Sequence, residues 1–436
     1  MHSDNKTRLK AGLKRYVSNT SWLLFERVLR VLSSIFVGVL IARHLGPNDL
    51  GILSYAQSIF IIGFALANFG LDSIVIRETL RRPDKINSII GSTFIIKLIT
   101  SSLVISLIFF LHCEYESNQT EILLILTLCT IFSPLSIFQI LFNKSVQSKY
   151  IVISNIVPII VFSLIKLYFV IYNGSIVNFA ICQSLEVVAS YILLILFKNK
   201  SDINFLDLRF DVSETRHLLK CSIPVLISSI MATLYLKVDQ LMIAHLLDST
   251  AVGIYASAAR LSEAWYFIPA TICSSLFPAI VNSKHNEAKY LARIQILYAI
   301  LIWLAIILCL LISAFSSVII DFVYGSAFSL ASPVLTMHVW AGINVAIGAV
   351  WTNWITSENK QHVATLAHIL GATINIGLNY FLIPIYGING AAGATLVSYY
   401  LSAFFAFSLY RPKTTFSMIT SSLLPWKIYE ATKIYR

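Results

Sequence analysis

Ionisable side chains inside long apolar stretches are the residues of this chain best placed to do chemistry. The stretch near residues 22–42 contains Glu26, Arg27 and Arg30, with Glu26 and Arg30 one helical turn apart. A charge at the centre of a bilayer costs about 2.5–3.5 kcal/mol unless it faces protein or water. Arginines held there can bind an anion through charge-assisted hydrogen bonds, so the pattern indicates an anion-binding cleft.

Two later apolar stretches carry further charges. One contains Lys237 and Asp239, within a polar helical stripe that also includes Ser229, Thr233 and Gln240. The other places Arg260 and Glu263 at positions i and i+3. The candidate anion-binding residues are Arg27, Arg30, Lys237 and Arg260, and the candidate coupling or cavity residues are Glu26, Asp239, Gln240 and Glu263.

The four cations outnumber the three acids among these residues, so a shared cleft favours an anion. A structural interpretation stays open, in which Glu26 pairs with Arg30, Arg260 pairs with Glu263 and Lys237 snorkels to an interface. Lys97 and Lys166 stand alone in their spans and are interpreted as snorkelling or packing residues.

Long apolar helices are needed to position these charges, and the composition provides them. Hydrophobic residues make up 57% of the 436 residues, charged residues 12%, and the mean hydropathy is +0.78. Apolar runs of about 20 residues recur, which is the length of a membrane-crossing helix. We predict an all-α polytopic membrane protein with spans near 22–42, 50–70, 89–111, 121–142, 151–172, 176–197, 221–246, 251–281, 294–323, 333–356, 363–386 and 391–410, about twelve in all.

Basic residues between the spans predict the orientation. They cluster in alternate connections, beginning before residue 20, and the intervening connections contain only Arg43. Because Lys and Arg accumulate in cytoplasmic loops, both termini are predicted to be cytoplasmic. The net charge of +11 therefore belongs to one membrane face and does not indicate nucleic-acid binding.

An internal repeat predicts two sets of six spans. A shift of 202 residues superposes six identical residues around the ends of spans 1 and 7, including Gly51 on Gly253. Parallel repeats of this kind form two transporter lobes around a central cavity. The predicted domains are a six-helix lobe over 1–200, a cytoplasmic linker over 201–220, a second six-helix lobe over 221–410 and a cytoplasmic tail over 411–436.

Enzymatic and metal-binding motifs are absent from the sequence. The six cysteines show no CxxC spacing and are interpreted as packing residues. We find no P-loop, GxSxG or HExxH motif, and the predicted extracytoplasmic loops are short. We therefore predict a secondary carrier without catalytic residues, rather than an enzyme or a pump, and no cofactor other than a coupling ion.

Two polar patterns lie in later spans. His368, Asn375 and Asn379 form a narrow stripe that either lines a pore or bonds a neighbouring helix, and helix packing is the favoured interpretation. Trp351 and Trp354 belong to a tryptophan cluster that predicts an interfacial belt, with sugar stacking as the alternative.

Several short motifs allow a comparison with known families. In the first half they are Ala42-Arg43-His44-Leu45-Gly46-Pro47 with Gly51, and Phe69-Gly70-Leu71 with Arg77-Glu78. In the second half they are Tyr235 to Asp239 with Gly253-Ile254-Tyr255, and Asn375, Asn379, Pro384, Gly387, Gly390-Ala391-Ala392 and Ala394-Thr395. With these motifs the chain resembles the polysaccharide-transport branch of the multidrug/oligosaccharidyl-lipid/polysaccharide exporter superfamily, in particular O-antigen translocases of the Wzx type.

This resemblance implies a flippase that carries an undecaprenyl-diphosphate-linked oligosaccharide from the cytoplasmic to the periplasmic leaflet of the bacterial inner membrane. Arg30, Lys237 and Arg260 would bind the diphosphate in a cationic cavity, and Asp239 and Glu263 would tune those cations or bind a coupling H+ or Na+. The expected partners are the lipid-linked oligosaccharide and membrane lipids, with other O-antigen assembly proteins as further candidates. The alternatives are a cation-coupled multidrug exporter of the same superfamily and a membrane polysaccharide polymerase.

Overall fold

The computed structural model describes residues 2–112, 118–197 and 207–435 of the chain. Within these ranges all the regular elements are helices, in agreement with the predicted fold class. Cys113 and the first part of the predicted linker, residues 201–206, lie outside the described residues.

The helices follow the order of the predicted spans. They are α1 (His2–Asn68), α2 (Leu71–Arg81), α3 (Ile86–His112), α4 (Asn118–Leu128), α5 (Ile137–Lys144), α6 (Ser148–Ile171), α7 (Ile176–Leu196), α8 (Val212–Leu246), α9 (Ser249–Glu263), α10 (Phe267–Val281), α11 (Glu287–Ala314), α12 (Ser316–Val323), α13 (Ala331–His338), α14 (Ala341–Ser357), α15 (Gln361–Leu409), α16 (Pro412–Ser422) and α17 (Pro425–Tyr435). Short 3-10 turns cover Pro83–Lys85, Cys129–Ser136 and Ser326–Phe328. Three spans are each built from two helices, namely α4 with α5, α9 with α10, and α13 with α14.

In the described residues, ten helical segments are long and apolar enough to cross a membrane. Two of these segments contain a break that divides them in two. Gly46 interrupts α1 with a φ of 72°, and Gly387 interrupts α15 with a φ of 60°. Glycine adopts positive φ without the steric cost that a Cβ atom brings, and Pro47 lacks the N–H that would continue the first helix. The ten segments therefore supply twelve crossings, and the prediction of a polytopic helical membrane protein is confirmed.

The chain forms two compact units. Unit 1 comprises Met1–Leu45 and Tyr55–Thr233, and unit 2 comprises Gly46–Ser54 and Leu234–Arg436. The boundary between the two units falls within α8, after Thr233. This helix begins at Val212, within the range 201–220 that the sequence predicts as a linker. The predicted domain boundaries stay predictions.

Each unit has its own apolar core. The core of unit 1 includes Ile89 on α3 and Phe142 on α5, which are fully buried. The core of unit 2 is built mainly on α11 and α14 and includes Tyr298, Trp351 and Trp354. Because both tryptophans are buried in this core, the predicted interfacial belt is wrong for them.

Two buried carboxylates anchor the start of α8 within unit 1. Glu214 on α8 lies 2.9 Å from Nη1 of Arg82, and Glu78 on α2 lies 3.0 Å from Nη2 of the same arginine. Asp211 precedes the helix and accepts the backbone N–H of Ser213 at 2.7 Å. Hydrogen bonds from Ser213 lower the pKa of the Asp211 carboxyl, which therefore caps the helix as a carboxylate.

A close backbone contact joins the segment Gly46–Ser54 to α9 within unit 2. A Cβ atom on Gly51 would lie 1.6 Å from the carbonyl oxygen of Ser249, and one on Gly253 would lie 1.9 Å from that of Pro47. Only glycine fits at these two positions. They are also the positions that the 202-residue shift superposes, so the same residue type meets the same packing requirement in both copies.

We expect Gly253→Ala to lower the thermal midpoint of the purified protein, because overpacking typically costs about 1–3 kcal/mol. The matched control is Gly348→Ala on α14, where an added Cβ atom meets nothing within 4 Å. That variant should melt at or above the wild-type temperature, since alanine favours a helix. Equal midpoints for the two variants would contradict the packing that is described for Gly253.

Candidate functional site

In unit 1, an ion pair on α1 joins two of the predicted site residues. Nη2 of Arg30 lies 2.8 Å from Oε1 of Glu26, and Nδ2 of Asn155 on α6 donates to the same carboxylate oxygen at 2.9 Å. The Glu26 side chain is only 12% exposed, whereas that of Arg30 is 52% exposed. Arg27 is exposed as well. Glu26 therefore holds the Arg30 guanidinium in place while further N–H donors stay accessible to an anion.

Two lysines that stand alone in the sequence are paired in unit 1. Lys97 is fully buried, and its Nζ lies 2.5 Å from Oδ1 of Asp72 and 2.6 Å from Oγ of Ser136. Nζ of Lys166 on α6 lies 2.6 Å from Oε2 of Glu186 on α7. Of the two interpretations given above, snorkelling or packing, both lysines fit packing, against acidic partners that the sequence does not identify. Their partners are 20 or more residues away along the chain, and only the tertiary fold brings them together.

In unit 2, the carboxylate of Asp239 is buried among neutral hydrogen-bond donors. Its Oδ1 accepts Nδ2 of Asn379 at 2.6 Å, and its Oδ2 accepts the Tyr255 hydroxyl at 2.6 Å and the Thr395 hydroxyl at 2.5 Å. The same amide nitrogen of Asn379 also donates to Oδ1 of Asn375 at 3.0 Å. We call these five residues, contributed by α8, α9 and both parts of α15, the Asp239 cluster.

The Asp239 cluster also contains an oxygen without a hydrogen-bond donor. Oδ1 of Asn379 is buried and has no hydrogen-bond partner within the described residues. Carboxylate, amide and hydroxyl oxygens are ligands for hard cations. The cluster can therefore take up one proton or one monovalent cation. No group of three or more His, Cys, Asp or Glu side chains that could hold a metal ion occurs in the described part of the chain.

Other predicted site residues lie nearby in unit 2. Arg260 donates from Nη2 to Oγ of Ser54 at 3.1 Å, Lys237 and Glu263 are half-buried, and Gln240 is buried. Arg30 belongs to unit 1, so its convergence with the cations of unit 2 on one cleft stays a prediction.

The Asn379 amide confirms the helix-packing interpretation of the polar stripe on α15, because it bonds Asp239 on α8. The candidate site residues did not include Tyr255 and Thr395, although both occur in the motifs that carry the family resemblance. A hydroxyl inside an apolar helix is a weak signal by itself, since it often bonds its own backbone.

Comparison with known families decides the classification. A family model described as "Polysaccharide biosynthesis protein" matches residues 16–284, well over half of the chain. The chain belongs to this family. A second model, MatE, matches residues 224–381. The predicted membership of the multidrug/oligosaccharidyl-lipid/polysaccharide exporter superfamily is confirmed.

Relatives with curated names are similar at low identity. A "Putative O-antigen transporter" of Shigella flexneri is 24% identical over 396 residues, which cover 86% of this chain and 93% of the relative. A "Probable low-salt glycan biosynthesis flippase Agl15" of Haloferax volcanii is 28% identical over 177 residues, 40% of this chain and 37% of the relative.

Solved structures share the fold. A structure titled "Lipid II flippase MurJ, inward closed conformation" superposes with a TM-score of 0.72 at 14% identity, and covers 96% of this chain and 97% of its own. The structure of an inward-facing multidrug resistance MATE family transporter superposes with a TM-score of 0.68 at 13% identity. The match covers 89% of this chain and 95% of the transporter's own. Both are transporters, and at this identity they establish the fold alone.

We expect Thr395→Val to destabilise unit 2, because a hydrogen bond to a charged group contributes about 1.5–3 kcal/mol. Thr373→Val is the matched control, since Thr373 lies exposed on the same helix and its hydroxyl bonds the carbonyl of Ile369. The thermal midpoint should fall for the first variant and stay near that of the wild type for the second. In an Asp239→Asn background the effect of Thr395→Val should shrink, and an unchanged effect would contradict the assigned hydrogen bond.

Proposed function

We propose that this protein is a flippase that moves an undecaprenyl-diphosphate-linked O-antigen oligosaccharide from the cytoplasmic to the periplasmic leaflet of the bacterial inner membrane. Membership of the polysaccharide biosynthesis family supports a lipid-linked glycan as substrate, as do relatives named as an O-antigen transporter and a glycan biosynthesis flippase. The multi-pass fold, shared with a lipid II flippase and with multidrug transporters, supports transport by alternating access. In this proposal both termini are cytoplasmic.

The observation that carries this proposal is the half-exposed guanidinium of Arg30 within an apolar span. A diphosphate is an anion that must leave the headgroup layer, and arginine binds phosphate oxygens through two parallel hydrogen bonds. Glu26 fixes the guanidinium on one side and leaves its other N–H groups for the ligand. Arg260, Lys237 and Arg27 are the further cations proposed for the diphosphate, while the lipid tail stays in the bilayer.

The Asp239 cluster is the proposed coupling site. Export against a gradient requires a source of free energy, and one charge that crosses 100 mV supplies about 2.3 kcal/mol. Uptake of Na+ or H+ by Asp239 would neutralise the only carboxylate of the cluster and change the hydrogen bonds that join α8, α9 and α15. Glu263 and Gln240 are proposed to line the same part of unit 2.

A cation-coupled multidrug exporter is the second candidate, since the MatE model matches residues 224–381. Such an exporter is expected to bind cationic drugs with acidic groups. The exposed cation in unit 1, Arg30, favours an anionic substrate instead. Transport of a cationic dye but not of a polyprenyl-diphosphate glycan by the purified protein would decide for the exporter.

We expect Arg30→Ala to lower the rate at which reconstituted protein moves a labelled polyprenyl-diphosphate oligosaccharide across vesicles. A lost charged hydrogen bond of about 1.5–3 kcal/mol corresponds to a factor of roughly ten or more. Arg30→Lys should restore only part of the rate, because an ammonium group lacks the bidentate geometry. Arg411→Ala is the control. Arg411 is an exposed arginine just after α15 that pairs with Glu287, and its replacement should leave transport at the wild-type rate. Full activity of Arg30→Ala would remove the basis of the proposal.

Asp239→Asn should abolish the dependence of transport on a Na+ or H+ gradient, because the amide cannot bind either ion as a carboxylate does. The control is Asp321→Asn, which changes an exposed carboxylate on α12. Initial transport rates are compared with and without each gradient in matched vesicles. A gradient response that survives in Asp239→Asn would place the coupling site elsewhere.

A further inference from the structure

Unit 1 contains a series of polar contacts that extends beyond the residues proposed for the diphosphate. They join α1, α6 and α7, and we call them the polar ladder. Its members are Arg30, Glu26 and Asn155, Ser33 with Ser163 at 2.8 Å, Gln57 with Gln183 at 2.7 Å, and Lys166 with Glu186 at 2.6 Å.

On α6 the ladder occupies one face of the helix. Asn155, Ser163 and Lys166 fall within an arc of about 80° at 100° per residue. Asn155 and Lys166 are eleven positions apart, which corresponds to about 16 Å of helix, roughly half the thickness of the hydrocarbon layer. The ladder therefore continues well beyond Arg30 along the direction that a transported headgroup must take.

The opposite face of α6 is apolar and exposed. Val157, Ile160 and Leu164 lie on it, about half a turn from Asn155 and Lys166. An exposed apolar face of a membrane helix meets lipid, so the polar ladder points away from lipid. The ammonium group of Lys166 contacts Glu186 on the neighbouring helix α7, so packing rather than snorkelling accounts for this lysine.

Exposure separates the ladder from the packing contacts of the same unit. Ser101 bonds Ser133 with both residues fully buried. The Lys166 and Glu186 side chains are 15% and 20% exposed, and Gln57 and Gln183 are half-buried. Among the described residues one contact joins the Lys166 ammonium to Glu186, which leaves N–H donors and a carboxylate oxygen for a ligand.

We propose that the polar ladder binds the glycan of the transported lipid, and that the Lys166–Glu186 pair recognises adjacent sugar hydroxyls at a distance from the diphosphate site. This inference rests on the proposed function. Hydroxyl groups both donate and accept hydrogen bonds, so an ammonium beside a carboxylate satisfies two neighbouring hydroxyls at once. Because about 16 Å of helix separate this pair from Asn155 beside Arg30, only an oligosaccharide reaches both positions.

The experiment compares two labelled substrates in vesicles that contain the purified protein. One is a polyprenyl diphosphate with the full oligosaccharide, and the other carries a single sugar. The double variant Lys166→Met with Glu186→Leu removes the pair without leaving an unpaired charge. We expect the rate for the oligosaccharide to fall about tenfold, as for lost charged hydrogen bonds, while the single-sugar rate stays near wild type.

Ser184→Ala is the matched control, because Ser184 lies two residues from Glu186 on α7 and bonds the carbonyl of Ile125 away from the ladder. It should change neither rate. If the double variant is not recovered in folded form, Lys166→Gln with Glu186→Gln removes both charges but keeps two polar side chains that can bond each other, and it serves for the same comparison, with the same substrate-dependent loss expected. A loss that is equal for both substrates, or no loss at all, would overturn the proposal that the polar ladder binds the glycan. Failure of the wild type to move either lipid would instead contradict the proposed flippase.

Discussion

The cost of placing a charge in hydrocarbon determines where this protein can carry ionisable groups. Several charges lie within its spans, and each costs about 2.5–3.5 kcal/mol unless protein or water surrounds it. Lys97 meets this requirement by complete burial against Asp72 and Ser136. Arg30 and Glu26 meet it differently, since their pair is partly open to its surroundings. The same physical requirement is therefore met in one case with the cation fully buried and in the other with the cation half-exposed.

The two units use their charges for different chemistry. In unit 1 the groups open to a ligand include Arg30, the Lys166–Glu186 pair and neutral hydrogen-bonding side chains, which suit phosphate and sugar oxygens. In unit 2 the carboxylate of Asp239 is buried, and its hydrogen-bond donors among the described residues are neutral side chains. A site of this kind responds to a proton or a small cation. In the proposed mechanism the coupling ion binds at the Asp239 cluster, which shares no residue with the cations proposed for the substrate.

Hydropathy predicts the fold well, because the bilayer imposes span length and backbone hydrogen bonding on any sequence that crosses it. The breaks at Gly46 and Gly387 follow from local turn chemistry, and both glycines occur in the motifs noted in the sequence. The sequence also identifies Glu26, Arg30 and Asp239 as unusual, since charges stand out in apolar helices. It does not identify their partners. Lys166 and Glu186 occur in different predicted spans, and only packing of α6 on α7 reveals the pair. Trp354 is predicted at a membrane interface but lies in the core of unit 2. Tryptophan occurs in both places, so the residue type alone does not distinguish them.

The most direct test of the account asks whether the polar ladder faces water. In a background without native cysteines, Ser163→Cys and Leu164→Cys place thiols on adjacent residues of α6, one on the ladder and one on the exposed apolar face. Each is treated in intact membranes with a charged, membrane-impermeant thiol reagent and with a lipid-soluble one. The account predicts that the charged reagent labels position 163 and spares position 164, while the lipid-soluble reagent labels position 164. Labelling of neither position by the charged reagent, or of both equally, would contradict the claim that the polar ladder lines an aqueous path.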